Sequence, residues 1–267
     1  MNKIFKLVNF NIKTSLKYLI SWILSLSGLM FLYMILFPSI QDLATTKMEA
    51  MPKELLQFMG IESFENMNNY LGYFSMIFNI ILIAIIIFGC VYLGKIAYKE
   101  EKDKNIEFLN SLNVNRRQIY LSKVISSFVA TTVVLIFVIT ISLVCGLIVG
   151  NDTFVLSDFI IMVKVSSFTA YFFNSLSLLS FGISNKISCA LIGNMGFLFT
   201  YFIGYLGILL QDKAQFLQYL SPIHVFSCNN ALKITDGNLV AMIVYILITI
   251  MMIVVGMISY NKRDLDV

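Results

Sequence analysis

Apolar residues along this chain fall in long runs rather than alternating with polar ones. Six runs of about 20 residues or more stand out, at about 18–37, 71–93, 119–149, 159–183, 187–210 and 239–260. About 20 consecutive apolar residues are what a helix needs to cross the roughly 30 Å hydrocarbon layer of a bilayer. A backbone in lipid must satisfy its own hydrogen bonds, so these runs predict transmembrane helices. Between them lie short polar turns, Gly150-Asn151-Asp152 and Ser184-Asn185-Lys186, and longer polar stretches at 39–70 and 211–238. Pro38 is expected to end the first run. The predicted class is an all-α membrane protein with six spans in one membrane domain.

Two amphipathic segments accompany the spans. Residues 1–17 carry Lys3, Lys6, Lys13 and Lys17 with no acidic residue, and Ile4, Phe5, Leu7, Val8, Ile12 and Leu16 form a rough helical stripe. That pattern suits a helix lying along a membrane face, or a basic tag that sets topology. The second segment, 95–123, holds seven basic and four acidic residues. Within it Ile106, Leu109 and Leu112 recur every three residues with Phe108 beside them. A helix with so narrow an apolar stripe is too short and too polar to span; it belongs at a surface or in a partner's groove. A solvated loop that fixes topology is the alternative.

Composition supports the membrane assignment. Hydrophobic residues make up 58% and charged residues 13% of the 267, against roughly 25% charged in soluble domains. The first apolar run follows four lysines and is long enough to remain as an anchor, so no cleavable leader is expected. Lys and Arg also set orientation. Fourteen fall in the N-terminal, 95–123, 184–186 and C-terminal segments, and four in the segments on the other side. This split predicts both termini in the cytoplasm.

The centres of the six runs hold no Asp, Glu, Lys, Arg or His; Lys164, about five residues into the fourth, is close enough to its end to snorkel. Intramembrane charges usually mark ion or proton paths, so their lack argues against ion-driven work. Energy would then enter from outside the bilayer. The four cysteines, Cys90, Cys145, Cys189 and Cys228, show no CxxC spacing, and no zinc site or disulfide framework is expected. Two motifs are decoys. Gly89 to Lys95 fits the start of a P-loop, but Ile96 stands where Ser or Thr must hold magnesium, and the segment closes a span. Glu100-Glu101 suggests an intramembrane protease, but His224 is the single histidine and Asn105 replaces the required Arg. No catalysis, no metal and no nucleic-acid partner is expected.

The stretch Glu100-Glu101, Ile106-Glu107-Phe108-Leu109, Val114 and Arg116-Arg117, with Lys123 at the start of the next helix, resembles the first cytoplasmic loop of ABC-2 type transporter permeases. Lys104, Asn105 and Asn113 depart from that pattern, standing for Gly, Thr and Pro. The tail Tyr260 to Leu265 is similar to the family's closing segment. The resemblance implies a coupling helix at about 99–113, docked in a separate ATPase subunit through Glu100, Glu101, Ile106, Glu107, Phe108, Leu109 and Arg116. It also implies an N-terminal elbow helix, two ATPase copies carrying ATP and Mg, and a homodimer or paired second permease in a bacterial cytoplasmic membrane. The first and fifth spans would line the dimer interface and pathway, which makes Gly193, Asn194 and Gly196 candidates there; packing inside the chain is the other reading of those glycines. The small members it resembles export amphipathic peptides or hydrophobic antimicrobials. A non-transporting immunity or scaffold protein, binding a peptide or partner in the bilayer, is the second function class.

Overall fold

A computed structural model describes residues 2–41, 69–102, 115–150, 153–184, 188–210, 214–232 and 235–263. Among the described residues there is no strand. The elements are α1 (Asn2–Thr14), α2 (Leu16–Ile35), α3 (Tyr70–Lys102), α4 (Arg116–Val149), α5 (Leu156–Ile183) and α6 (Cys189–Leu209). A 3-10 turn (Gln215–Leu220), two short helices α7 (Pro222–Val225) and α8 (Cys228–Leu232), and α9 (Asp236–Lys262) follow. Six of these, α2, α3, α4, α5, α6 and α9, are long and apolar enough to cross a membrane. The chain is a multi-pass membrane protein.

Helix ends differ from the expected ones by a few residues. The first span stops at Ile35, ahead of Pro38, and residues 37–41 resume helical geometry after a turn at Leu36. The second span runs on past its apolar run to Lys102. The third starts at Arg116, where Asn115 and Gln118 form a capping box that satisfies first-turn amides. The fourth starts at Leu156, so Lys164 lies two turns in and is exposed on the helix surface.

The bundle is built around α3 and α5, which pack on each other and hold most of the buried aromatic residues, including Phe74, Phe78, Phe88, Phe159, Phe173 and Phe181. The span α2 lies against α4 and α3, α6 against α3 and α5, and α9 against α5 and α4. Aromatic contacts clamp α2 to α3 at both ends. At one end Tyr73 donates to the Tyr33 carbonyl at 2.9 Å and Phe37 packs on Tyr70 and Tyr73. At the other, Tyr18 and Trp22 pack on Phe88, and the Lys95 ammonium sits 4.4 Å over the Tyr18 ring.

Close helix crossings use small residues, as lipid-embedded bundles do. Gly182 of α5 and Gly256 of α9 meet backbone to backbone; a methyl on Gly182 would collide with the Gly256 backbone, and one on Gly256 with the Tyr120 hydroxyl. The Tyr120 hydroxyl of α4 reaches over the same crossing to the Leu178 carbonyl at 3.2 Å.

Candidate functional site

The residues singled out by the sequence fall in three places. Glu100 and Glu101 belong to the backbone of α3, whose helix continues through Lys102. Ile106, Glu107, Phe108 and Leu109 lie outside the described residues, as does most of the expected coupling helix at 99–113; positions 99–102 continue the second span rather than starting a separate helix. Arg116 opens α4, and its guanidinium donates to the carbonyl of Arg263, just past the last span. Arg263 in turn donates to the Phe181 carbonyl at 2.9 Å and lies over the rings of Phe181 and Tyr260. The exit of the last span is thereby tied to the start of the third and the end of the fourth.

Lys123 stands near the start of the third span, as the sequence suggests, but inside the bundle rather than on the polar stretch outside it. It is 1% exposed, two turns into α4. Its ammonium donates to Asn11 Oδ1 at 3.1 Å and to the Ile96 carbonyl at 2.7 Å. Asn11, itself buried on α1, donates from Nδ2 to Ser126 Oγ at 3.2 Å. A main-chain carbonyl has two lone pairs, so Ile96 accepts this bond without leaving its helix. A buried ammonium is tolerated only when such acceptors replace its water. Three elements therefore meet at Lys123: α1, the exit of α3 and the start of α4. The available signal was the face of α1 on which Val8, Asn11 and Ser15 recur; all three are buried. Polar residues at helical spacing on an otherwise apolar face call for a polar partner.

Gly193 and Gly196 sit on α6 where it crosses α5. A side chain at Gly193 would collide with Ser177 and Cys90, and one at Gly196 with Leu176. Packing inside the chain accounts for both glycines without a dimer contact. Asn194, between them, is half-buried with its Oδ1 unpaired.

Midway through the bundle Asn174 of α5 is fully buried and donates to Thr131 Oγ1 of α4 at 3.3 Å. Gly89 of α3 packs against both side chains. The Asn174 Oδ1 has no partner. This polar node is neutral, and among the described residues no group of three His, Cys, Asp or Glu converges as a metal site.

At the end of the bundle opposite Lys123, α7 and α8 fold back onto α5 and α6. Gly204 gives α7 room: a methyl there would meet His224 and Ser221. The His224 carbonyl accepts from Asn230 Nδ2 at 2.6 Å. His224 is thus half-buried rather than standing in an open loop, and that burial lowers its imidazole pKa to about 4. Cys228 is buried against Ser166 of α5, with the two side-chain atoms 3.2 Å apart. Burial lifts its thiol to about 12, well outside the range of a reactive cysteine. All four cysteines are buried and free of disulfides.

Residues 9–261 match the family described as multidrug efflux system permease Rv1217c, C-terminal domain. No curated protein and no solved structure gives a match.

Proposed function

The chain belongs to this multidrug efflux permease family and is a transporter permease, and from that premise we propose that it is the membrane subunit of an ATP-driven ABC exporter of the ABC-2 type. In this reading both termini face the cytoplasm, α1 lies along the inner membrane surface, and residues 99–113 dock in a separate ATPase subunit present in two copies. ATP and Mg reside on that partner, and the permease itself performs no catalysis. The cargo is an amphipathic peptide or hydrophobic antimicrobial, moved outward by alternating access. A second permease, identical or paired, completes the pathway. The exposed apolar faces of the first and fifth spans, with Leu24 and Phe31 on one and Phe199 and Phe202 on the other, are offered as the shared surface. Asn194 is the pathway residue carried forward.

The observation that supports this reading most is the distribution of charge. The central turns of the six spans contain no ionisable Asp, Glu, Lys, Arg or His, while the stretch 95–123 gathers seven basic and four acidic residues. A proton- or ion-coupled carrier needs a titratable or charged group inside the bilayer. A permease worked by a docked ATPase needs a polar arm outside it. Neutral buried groups such as Asn174 and Thr131 suit an amphiphile without a fixed counter-charge.

Affinity purification of the tagged chain from its native membrane tests the reading. An ATP-binding subunit is expected to co-purify in equal amount. Recovery of the chain without any nucleotide-hydrolysing partner, under conditions that preserve known transporter complexes, would overturn it.

A further inference from the structure

We propose that Lys123 is a positioning residue: it pins the two roots of the 97–122 arm together, so that a force on the arm moves the second and third spans and the N-terminal helix as one unit. The proposal rests on the ATP-driven reading for its consequence, though not for its geometry.

The geometry is specific. The Lys123 ammonium bonds to the Ile96 carbonyl, 27 residues earlier in the chain. These two residues stand where α3 leaves the bundle and α4 enters it. The arm is thus closed at its base by a charge-assisted hydrogen bond in a site that is 1% exposed. The same ammonium bonds to Asn11 on α1, and Asn11 holds Ser126 one turn further along α4. Loss of the ammonium would leave Asn11 Oδ1 without this donor and release the cross-link between the arm's two roots.

A buried charge is a poor way to gain stability, because replacing such a group together with its partners by apolar residues is often neutral or stabilising. Leu or Met at position 123 would fill the same volume against the surrounding α1 and α3 helices. What neither can do is fix the direction and spacing of two helix ends, which a short charge-assisted bond does. Coupling between distant sites needs a connection with defined geometry. A loosely rooted arm would absorb a push by bending at its base.

The arm's two roots can be measured directly. Spin labels at Lys95→Cys and Arg117→Cys, both exposed positions, flank the pin, and the four native cysteines are buried. In the full-length chain in bilayer discs, double electron–electron resonance is expected to give one narrow distance. With Lys123→Met the narrow peak should be lost, while the thermal unfolding midpoint should fall no further than in Asn11→Leu. Lys123→Arg, which keeps a buried donor, should restore the peak. Asn11→Leu serves as a second variant should Lys123→Met fail to fold, and is expected to broaden the distance partially. An unchanged narrow distance in Lys123→Met, or in Asn11→Leu where the first cannot be isolated, would overturn the pin. So would a Lys123→Arg chain that restores the midpoint but not the narrow distance, the mark of a residue that only stabilises the fold.

With a partner ATPase in vesicles, Lys123→Met should lower transport per ATP hydrolysed by about tenfold, the size of a typical coupling between sites. If the unaltered chain shows no ATP-dependent transport, the ATP-driven reading fails while the distance measurement still decides the pin.

Discussion

Lys123 and Ile96 are joined by a 2.7 Å hydrogen bond from ammonium to main-chain carbonyl, between two helices and inside the bundle. The bond sits at the base of the most polar stretch in the chain. Its neighbour Asn11 extends it to a third helix.

Asn11→Leu should therefore destabilise more than an exposed polar substitution on α1 such as Asn9→Leu. Removing the amide withdraws an acceptor from a buried ammonium and a donor from Ser126, a loss of about 1–3 kcal/mol. Thermal unfolding in detergent, followed by helix circular dichroism, is the check.

The crossing of α5 and α9 has no room for a side chain. Gly182→Ala places a methyl against the Gly256 backbone on α9. Since the backbone cannot yield as a flexible side chain can, the expected cost is roughly 1–3 kcal/mol. Gly28→Ala, on the first span, meets nothing within 4 Å and should be neutral or slightly stabilising, because alanine is the better helix former. The two variants compared by unfolding midpoint and by monodisperse yield test the crossing.

The six spans and their order were legible because lipid imposes one simple rule on sequence: an apolar run of sufficient length, bounded by polar residues. The polar contacts between spans were not legible in the same way. Asn174 and Thr131 lie 43 residues apart, and nothing local marks them as partners. Lys123 closes a charged stretch at the start of the third span, and nothing local shows that its side chain turns inward; the helix begins seven residues earlier, at Arg116. His224 looked like a loop residue because Pro222 and polar residues surround it. Gly204, on a different helix, makes the space into which it folds. In each case the missing information was which helix face meets which, a property of the packed bundle.

Stability should depend on acidity through His224. Its folded pKa, about 4, lies below the ordinary imidazole value of 6.5. The neutral form is the one that folding favours, so the contribution is fully present above about pH 6.5. It is lost progressively as the pH falls from 6.5 and is gone below about pH 4. The full swing is on the order of 3 kcal/mol. Unfolding midpoints measured from about pH 7.5 down to about pH 4.5 should fall for the unaltered chain and fall less for His224→Gln.

Thr131→Val keeps volume but removes the acceptor of Asn174 Nδ2. Interhelical hydrogen bonds in membranes average about 0.6 kcal/mol with a maximum near 1.7. A loss of roughly 1 kcal/mol is expected, because Asn174 already holds one unpaired oxygen and has nowhere to turn. A double-mutant cycle with Asn174→Leu isolates the pair.

ATP-driven efflux is tested most directly by reconstituting the purified chain in sealed vesicles, with and without its co-purified ATP-binding subunit, and following an amphipathic peptide across the membrane. Transport is expected with the partner and ATP present, and is expected to stop when either is withheld or when Leu109→Asp replaces an apolar residue of the arm, while ATP hydrolysis continues in that variant. Peptide movement by the chain alone, or movement unchanged by Leu109→Asp, would contradict it.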